Sequence, residues 1–538
     1  MAVLSQFTDW PWRHWAAQRG DATALYFSAD SLANSCTDSC VDSCADIGTE
    51  STEAKAIQSL SWYQLNQRIE QYSCSFVAQG VLPGHGVVLR GKNSLDLLLC
   101  QLALITCGAR VLPLNPRLPI DLLAQLLPRL NIDFVLEFDS QPIILTTDSV
   151  YSATSCRTLS YPALTYDAAA LCTGKLITSD AVTNKSVSGK VRTDNPLSQA
   201  LPPCDLYRPA TLILTSGSTG LPKAAVHHTA AHLLSAKGVL GLLTYQPQDC
   251  WLLSLPLFHV SGQGIVWRWL LRGAILAIKP SMPLAQALQG VTHASLVPTQ
   301  LWRLLAQPEA HLQTLHDVLL GGAAIPTELT DAAQKQGIRC WSGYGMTEMA
   351  STICAKRADG KPGVGLPLMG KKVRLVDGEI QICADSQALG YWFDHQIVPL
   401  KCLSSEKPMQ EDLQGWFATN DKGAFVDGEY QILGRLDNLF FSGGEGIQPE
   451  DIEAVIASHP QVTQCFVVPR ADIEFGHRPV AVIEGTTDLC LEQLQIWLKP
   501  KLAVFQYPVA FYWLDEQLKS GGIKISRQAI KRWVAERP

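Results

Sequence analysis

The sequence predicts an α/β protein of layered strands and helices that ends in a smaller αβ unit. Three observations carry that prediction. Strand-like apolar runs alternate with helix-period runs through residues 60–113 and again through Cys250–Leu320. A run rich in hydroxyls and glycine sits directly behind the apolar segment Ala210–Leu214. Beyond Asp437 the texture changes to short helical and strand-like runs.

Taken in order, the first region gives an amphipathic helix Tyr63–Gln79, a strand Gly86–Leu89, a helix Leu95–Cys107 and a strand near Val111. The second region repeats the alternation in WLLSLPLF, GIVWRWLLRGA, ILAI, ASLVP and VLLGG. Asp427-Gly428, flanked by apolar runs, signals a hairpin just before the change of texture. After it a helix is expected to begin near Pro449, with Ile452, Val455 and Ile456 at helical spacing. FVVP, VAVIEG and a helix Leu491–Leu498 complete the small unit.

Two stretches break the pattern. Ser28–Glu53 is rich in Ser, Asp and Thr with almost no periodicity, as an inserted or disordered segment would be. It contains Cys36, Cys40 and Cys44, spaced by four. A structural zinc site needs four ligands including a close pair, and no fourth ligand is nearby, so a solvated loop is the expectation. Ser140–Pro203 is long and polar enough to be an insertion or to hold short strands of its own.

Composition bounds the function. A chain of 538 residues with 47% apolar residues can build about three packed domains. A formal charge of −6 offers no basic field for nucleic acid, so no nucleic-acid partner is expected. The most apolar runs are interrupted by Asp96 and Gln101 and by Arg268 and Arg272, which argues against membrane insertion. The opening residues lack a basic and then apolar leader, so a cytoplasmic protein is expected. The 16 cysteines include no CxxC pair and read as small buried side chains. Nothing sets the oligomeric state, and a homo-oligomer stays open.

The most telling stretch is TSGSTGLPK at 215–223. Gly217 and Gly220 allow a tight turn whose N–H groups can face an anion, Thr215, Ser216, Ser218 and Thr219 add hydroxyls, and Lys223 adds charge. It is not a Walker loop, because Leu221 and Pro222 separate the second glycine from the lysine and Ala224 follows, which disfavours a P-loop kinase. A polar surface turn is the plainer alternative. WSGYGMTE at 341–348, expected just after a strand, offers Tyr344 to flank a purine, Thr347 to bond a phosphate oxygen and Glu348 as a hard ligand for Mg²⁺. A helix start capped by Thr347 explains the same residues. In GWFATNDKG, Asp421 is expected before a Lys-Gly turn, where it can accept from both ribose hydroxyls; Arg435 and Asp437 follow in GRLD.

In order and spacing, TSGSTGLPK, PLFHVSG, YGMTE, GWFATND, GRLDN, SGGEGIQPEDIE and GGIKISR resemble the adenylate-forming enzymes, the group of acyl-CoA synthetases, luciferases and peptide-synthetase adenylation domains. The resemblance begins near Phe7 and spans nearly the whole chain. WPWRHWAAQRGD, KAAVHHTAAHLLSAKG, PLFHVSGQGIVWRWLLRGA and the ending GGIKISRQAIKRW narrow the resemblance to a branch of CoA ligases for an aromatic acid carrying a second carboxylate. It implies a large N-terminal region, 1–434, of two αβ lobes plus a distorted β-barrel with insertions near 28–58 and 140–203, and a small mobile C-terminal α+β domain, 435–538. It also implies ATP, CoA and Mg²⁺, a small carboxylate substrate, and two steps: adenylation of the acid and capture of the acyl group by the CoA thiol.

By the same resemblance Lys524 in GGIKISR is the central catalyst of adenylation, although a lysine there is otherwise a solvated charge. His259 falls between acyl pocket and thiol tunnel, a place a satisfied core histidine would also suit. Gly321 and Gly322 lie where adenine approaches the backbone, or form a simple turn. Asp437 takes the hinge position, and Gly443, Gly444 and Gly446 the loop that turns toward CoA; Gly446 stands where the family often has Asn. For the second carboxylate the candidates are Lys237, Arg268 and the pair His227-His228. Other aryl or medium-chain acyl-CoA synthetases, and a binding protein without catalysis, are the alternatives.

Overall fold

The structure is a computed structural model, and it describes residues 4–28, 57–118, 120–138, 157–160, 201–215, 221–280, 282–307, 312–322, 325–403, 415–442, 445–472, 475–519 and 525–537. The Cys36, Cys40 and Cys44 segment and most of Ser140–Pro203 lie outside the described residues; within the latter, Arg157–Thr158 form a short edge strand.

Two large sheets build the N-terminal region. In the first, six strands run parallel in the spatial order Arg339–Met346, Asp317–Leu320, His293–Leu296, Cys250–Leu252, Ile275–Ile278 and Thr23–Ser28. Antiparallel Ser351–Arg357 and Leu366–Pro367 extend one edge, and Ile57–Ser61 the other. In the second, Gly86–Arg90 lies between Arg110–Leu114 and Phe134–Glu137, and Pro209–Thr215 joins the sheet parallel to Arg110–Leu114. The strands Lys223–His228, Gly390–Phe393 and Gln396–Val398 follow antiparallel. Such parallel strands are buried on both faces, which explains why they read as continuous apolar runs.

The expected helices appear as Trp62–Ala78 and Leu95–Thr106, started by Ser61 and Ser94, whose side chains accept from the N–H groups of Gln64 and Leu97. Helix Val260–Arg272 is closed by Gly273 at φ +66. The Trp15 ring packs so tightly on Gly273 that a Cβ there would lie 2.6 Å from it, and Trp15 Nε1 donates to the Leu270 carbonyl. Trp62 stacks on Trp269 at 5.2 Å, so the aromatic opening of the chain seals this helix.

A third, antiparallel sheet holds Lys371–Val376, Glu379–Ala384, Trp416–Val426, Cys402–Leu403 and Glu429–Arg435. Asp427 at φ +53 and Gly428 at φ +83 make the expected two-residue hairpin turn between Trp416–Val426 and Glu429–Arg435. The C-terminal part has its own sheet, Val462–Asp472, Gly476–Gly485 and Ala510–Trp513, and its own cores. Helices Pro449–Ala457, Leu491–Leu498 and Arg527–Ala535 pack there.

Candidate functional site

Both ends of the TSGSTGLPK motif lie on paired strands. Strands Pro209–Thr215 and Lys223–His228 pair antiparallel with Thr215 opposite Lys223, so the two ends of the motif face each other. Ser216, Gly217, Ser218, Thr219 and Gly220 lie outside the described residues. A strand follows the motif where a Walker loop would begin a helix.

Lys223 Nζ lies 5.1 Å from the centre of the Tyr391 ring, and the Tyr391 hydroxyl donates to Glu348 Oε1 at 2.8 Å. The Ala388 N–H donates to the Glu348 carbonyl at 2.7 Å. Tyr391 thus ties the loop lysine to the candidate metal ligand, and burial pushes its phenol well above the usual range. Sequence reading missed Tyr391. It comes beside the motif through strand pairing, Tyr391 with Ala225, which no local pattern reveals.

WSGYGM does not follow a strand; it is the strand, Arg339–Met346. Thr347 caps no helix, because the segment continues as the single 3₁₀ turn Thr347–Met349, with no side-chain cap. The backbone then turns through Ala350 at φ +54 and Ser351 at φ +112, where side chains are strained. Such strain beside Thr347 and Glu348 marks a site whose shape is held by its surroundings. Gly345 is required here, since a Cβ would lie 2.2 Å from the Ser351 carbonyl oxygen. From behind, His227 Nε2 donates to the Thr347 carbonyl at 2.8 Å.

Two residues before the end of strand Arg339–Met346, Tyr344 donates a hydrogen bond to Asp421 Oδ2. Arg435 Nη1 donates to Asp421 Oδ1 at 3.0 Å and to the Thr419 carbonyl at 3.0 Å. Its Nε and Nη2 hold both oxygens of Asp437 at 3.0 and 3.1 Å. Burial pushes the Asp421 carboxyl up, opposed by Tyr344 and Arg435. Burial also works against the Arg435 charge, but Asp437 and Asp421 outweigh it and raise the group. The expected Lys-Gly turn after Asp421 is absent: Lys422 and Gly423 lie inside Trp416–Val426, at a bulge. That bulge aligns Asp421 with Arg435 across the hairpin. Gly321 and Gly322 follow strand Asp317–Leu320, with Gly322 at φ +86.

His259 precedes helix Val260–Arg272, and its carbonyl accepts from Gly262 and Gln263. A Cβ on Gly262 would lie 2.1 Å from the Pro256 carbonyl oxygen, which fixes how this turn is built. One face of that helix carries Gly264 and then Arg268. Arg268 is 2% exposed, bonds Ser295 Oγ at 3.4 Å, and has no carboxylate partner among the described residues. Its Nη2 and Ser351 Oγ each lie 3.0 Å from the point where a Gly264 side chain would begin, so the guanidinium shares a junction with the strained segment. Of the other candidates, His227 is engaged by Thr347, and His228 Nδ1 accepts from the Ala231 N–H as a helix cap. Lys237 is half-buried.

Lys524, Gly443 and Gly444 lie outside the described residues, and Gly446 is in the short strand Glu445–Ile447. Three residues beyond Lys524, Arg527 is clamped by both oxygens of Glu453 at 2.6 and 2.8 Å. This clamp fixes the chain that follows the lysine, and nothing in the sequence reading singled it out.

Residues 12–392 match the AMP-binding enzyme family, and residues 451–521 match the AMP-binding enzyme C-terminal domain. The chain belongs to the AMP-binding enzyme family. A 2-succinylbenzoate--CoA ligase of Salmonella typhimurium is 47% identical over 98% of this chain and 99% of its own length. One of Haemophilus influenzae is 44% identical over 89% of this chain and 93% of its own. Among solved structures, a variant of E. coli MenE with bound OSB-AMS superposes with a TM-score of 0.77 at 44% identity, covering 99% of both chains. The o-succinylbenzoate CoA synthetase (MenE) of Bacillus subtilis in complex with the acyl-adenylate intermediate OSB-AMP, at 22% identity, TM-score 0.72 and 97% of both chains, shares the fold.

As an AMP-binding enzyme the chain is an adenylate-forming ligase, and the o-succinylbenzoate CoA synthetase of Bacillus subtilis, which shares the fold, has been solved in complex with ATP and magnesium ion. Among the described residues no three His, Cys, Asp or Glu side chains converge as a metal site. Mg²⁺ does not require one, since it is commonly held by one or two carboxylates with waters and phosphates. Glu348, oriented through Oε1 by Tyr391 beside Lys223, fits that habit. Among the described residues no helix is long and apolar enough to cross a membrane.

Proposed function

We infer that this chain activates o-succinylbenzoate with ATP and passes the acyl group to CoA, giving o-succinylbenzoyl-CoA, AMP and pyrophosphate, as in menaquinone biosynthesis. A carboxylate oxygen attacks the α-phosphorus, pyrophosphate leaves, and the CoA thiol then displaces AMP from the acyl carbon. Both steps move negative charge, so the protein's task is positioning and charge neutralisation. The loop from Thr215 to Lys223 receives the phosphates, and Thr347 bonds a phosphate oxygen. Glu348 would hold Mg²⁺, which neutralises phosphate charge when bound. Tyr344, Gly321 and Gly322 flank the adenine, and Asp421, held by Arg435, accepts from the ribose hydroxyls. His259 borders the route of the thiol.

The observation that carries the choice of acid is Arg268. A buried guanidinium without a carboxylate partner is expensive, and burial pushes it down to about 9, still charged at neutral pH. Placed beside Ser295 and Ser351, it suits the carboxylate of o-succinylbenzoate that is not activated. An aryl or medium-chain monocarboxylic acid would leave that charge buried and unpaired, which weighs against the alternative substrates.

Lys524, on the small C-terminal domain that begins at 435, supplies the charge at the α-phosphate during adenylation. Lys524→Ala is expected to lower the rate of pyrophosphate release by about 10²–10³. Near wild-type adenylation in that variant would remove Lys524 from the mechanism. The reading as a whole is tested by measuring pyrophosphate with ATP, Mg²⁺ and a panel of acids, with and without CoA. Release with o-succinylbenzoate followed by its CoA thioester is the expected result. Release only with other acids would discard the substrate, and no release with any acid would favour a binding protein. The cytoplasm, which supplies ATP and CoA, is the compartment this reading implies.

A further inference from the structure

Arg268 is not the only buried cation near the acyl end. Lys371 begins strand Lys371–Val376 and is 7% exposed, yet its Nζ has no hydrogen-bond partner among the described residues. It presses against helix Thr229–Leu240, where a side chain on Gly238 would begin 3.4 Å from Nζ. Leu368 and Met369 approach the same glycine at 3.1 and 3.3 Å, so the helix surface there is shaped to admit this segment. Strand Ser351–Arg357 lies against this helix and against the helix that carries Arg268.

An unpaired ammonium in such a place is costly unless an anion comes to it. We propose that Lys371 is a specificity-determining residue, a second buried cation that acts with Arg268 to select acids carrying a second carboxylate. This rests on the o-succinylbenzoate reading above. The Arg268 charge acts against the Lys371 ammonium, and one carboxylate reaching both would relieve that repulsion.

The charges around Lys371 support the assignment. Burial, and next the Arg268 charge, push Lys371 down to about 7. Asp385, beyond strand Glu379–Ala384, acts in the opposite sense but less than Arg268 does. Cys354 of strand Ser351–Arg357 acts in the same sense as Asp385, yet burial holds its thiol up at about 12, so it is neutral at pH 7. Lys371 lines a small cavity of about 30 Å³ together with Lys237 of helix Thr229–Leu240 and Asp385, so two cations there face one carboxylate. The resident groups thus leave the junction short of negative charge.

The sign of the pH effect follows. In the free protein Lys371 loses its proton as pH rises through about 7, and a bound carboxylate favours the protonated form. Binding of o-succinylbenzoate should therefore weaken as pH rises past that point, and should take up close to one proton at about pH 8 and almost none at about pH 5.5.

The test pairs wild type with Lys371→Met and Lys371→Arg on three acids: o-succinylbenzoate, 4-oxo-4-phenylbutanoate, which lacks the ring carboxylate, and 2-butanoylbenzoate, which lacks the chain carboxylate. In Lys371→Met, KM for o-succinylbenzoate should rise by about 10- to 100-fold, the value of one charge-assisted hydrogen bond. KM for ATP, and for whichever monocarboxylic acid is turned over, should stay within about threefold. Lys371→Arg should recover most of the loss. Equal losses with dicarboxylic and monocarboxylic acids would show a packing role and overturn the proposal, as would no loss with any acid. Should Lys371→Met fail to fold, calorimetry on wild type in buffers of different ionisation enthalpy decides: proton uptake at about pH 8 supports the proposal and none overturns it. Wild type that releases no pyrophosphate with o-succinylbenzoate would instead remove the substrate reading itself, an outcome distinct from an unaffected Lys371→Met.

Discussion

Tyr391 places its ring 5.1 Å from Lys223 Nζ and its hydroxyl 2.8 Å from Glu348 Oε1, so one phenol positions both a cation and an anion of the phosphate end. Groups that orient a metal ligand commonly alter metal affinity by about 10- to 100-fold when removed. Tyr391→Phe is therefore expected to raise the Mg²⁺ concentration needed for half-maximal pyrophosphate release by about tenfold, with KM for the acid unchanged. An unaltered Mg²⁺ dependence would mean that Glu348 needs no such support. At this scale it was the family that was legible, where glycine, hydroxyl and charge fall within a few positions, as in TSGSTGLPK and YGMTE. Tyr391, Arg527 and Lys371 were not legible, because each acquires its meaning from a partner far away in the chain.

Strand Lys223–His228 and helix Thr229–Leu240 are joined by histidines that bond rather than titrate. His227 donates to the Thr347 carbonyl, while His232 bonds Thr211 Oγ1 at 2.7 Å and stacks on Trp267 at 5.2 Å. Burial lowers His227 to about 4 and His232 well below the usual range. A histidine whose folded pKa is depressed contributes stability that is complete above about pH 6.5 and is lost as pH falls toward 4, because only the unfolded chain takes the proton. For His227 that amounts to about 3 kcal/mol between those limits. His227→Gln should flatten the fall of the urea midpoint between about pH 6.5 and 4, and an unchanged slope would contradict the assignment. Elements themselves were largely legible: Leu491–Leu498, Asp317–Leu320 and the Asp427-Gly428 turn lie where periodicity and turn chemistry put them. Register was not. The bulge at Lys422 and Gly423 changes which residue faces Arg435, and a simple count back from the turn sets Gly434 against Asp421 instead.

The proposed two-step reaction sets a geometric demand on the whole molecule: Lys524, in the role proposed for it, must leave before the thiol arrives. Arg435 and Asp437 stand at the proposed junction of the large and small regions, linked by two hydrogen bonds, with Asp437 inside the turn Leu436–Asn438. Arg303 meets Glu484 of the C-terminal part at 2.9 Å with Arg303 58% exposed. Exposed pairs of this kind are worth about 0–1 kcal/mol, a contact weak enough to break on every turnover. Asp437→Pro, which restricts the backbone at this junction, is expected to spare one half-reaction and damage the other, read as pyrophosphate release against thioester formation. Equal damage to both would argue against a hinge there. The motif order made this two-part plan legible, whereas the sheets of the large region, which interleave distant segments such as Thr23–Ser28 with Ile275–Ile278, required the fold.

The most direct measurement of the central claim follows an oxygen atom. With o-succinylbenzoate labelled with ¹⁸O in both carboxylates, ATP, Mg²⁺ and CoA, the account requires one labelled oxygen in the phosphate of AMP, because the attacking carboxylate oxygen stays on phosphorus when the thiol takes the acyl group. Label appearing in inorganic phosphate, or thioester formed together with unlabelled AMP, would contradict an acyl-adenylate and with it the function assigned to this chain.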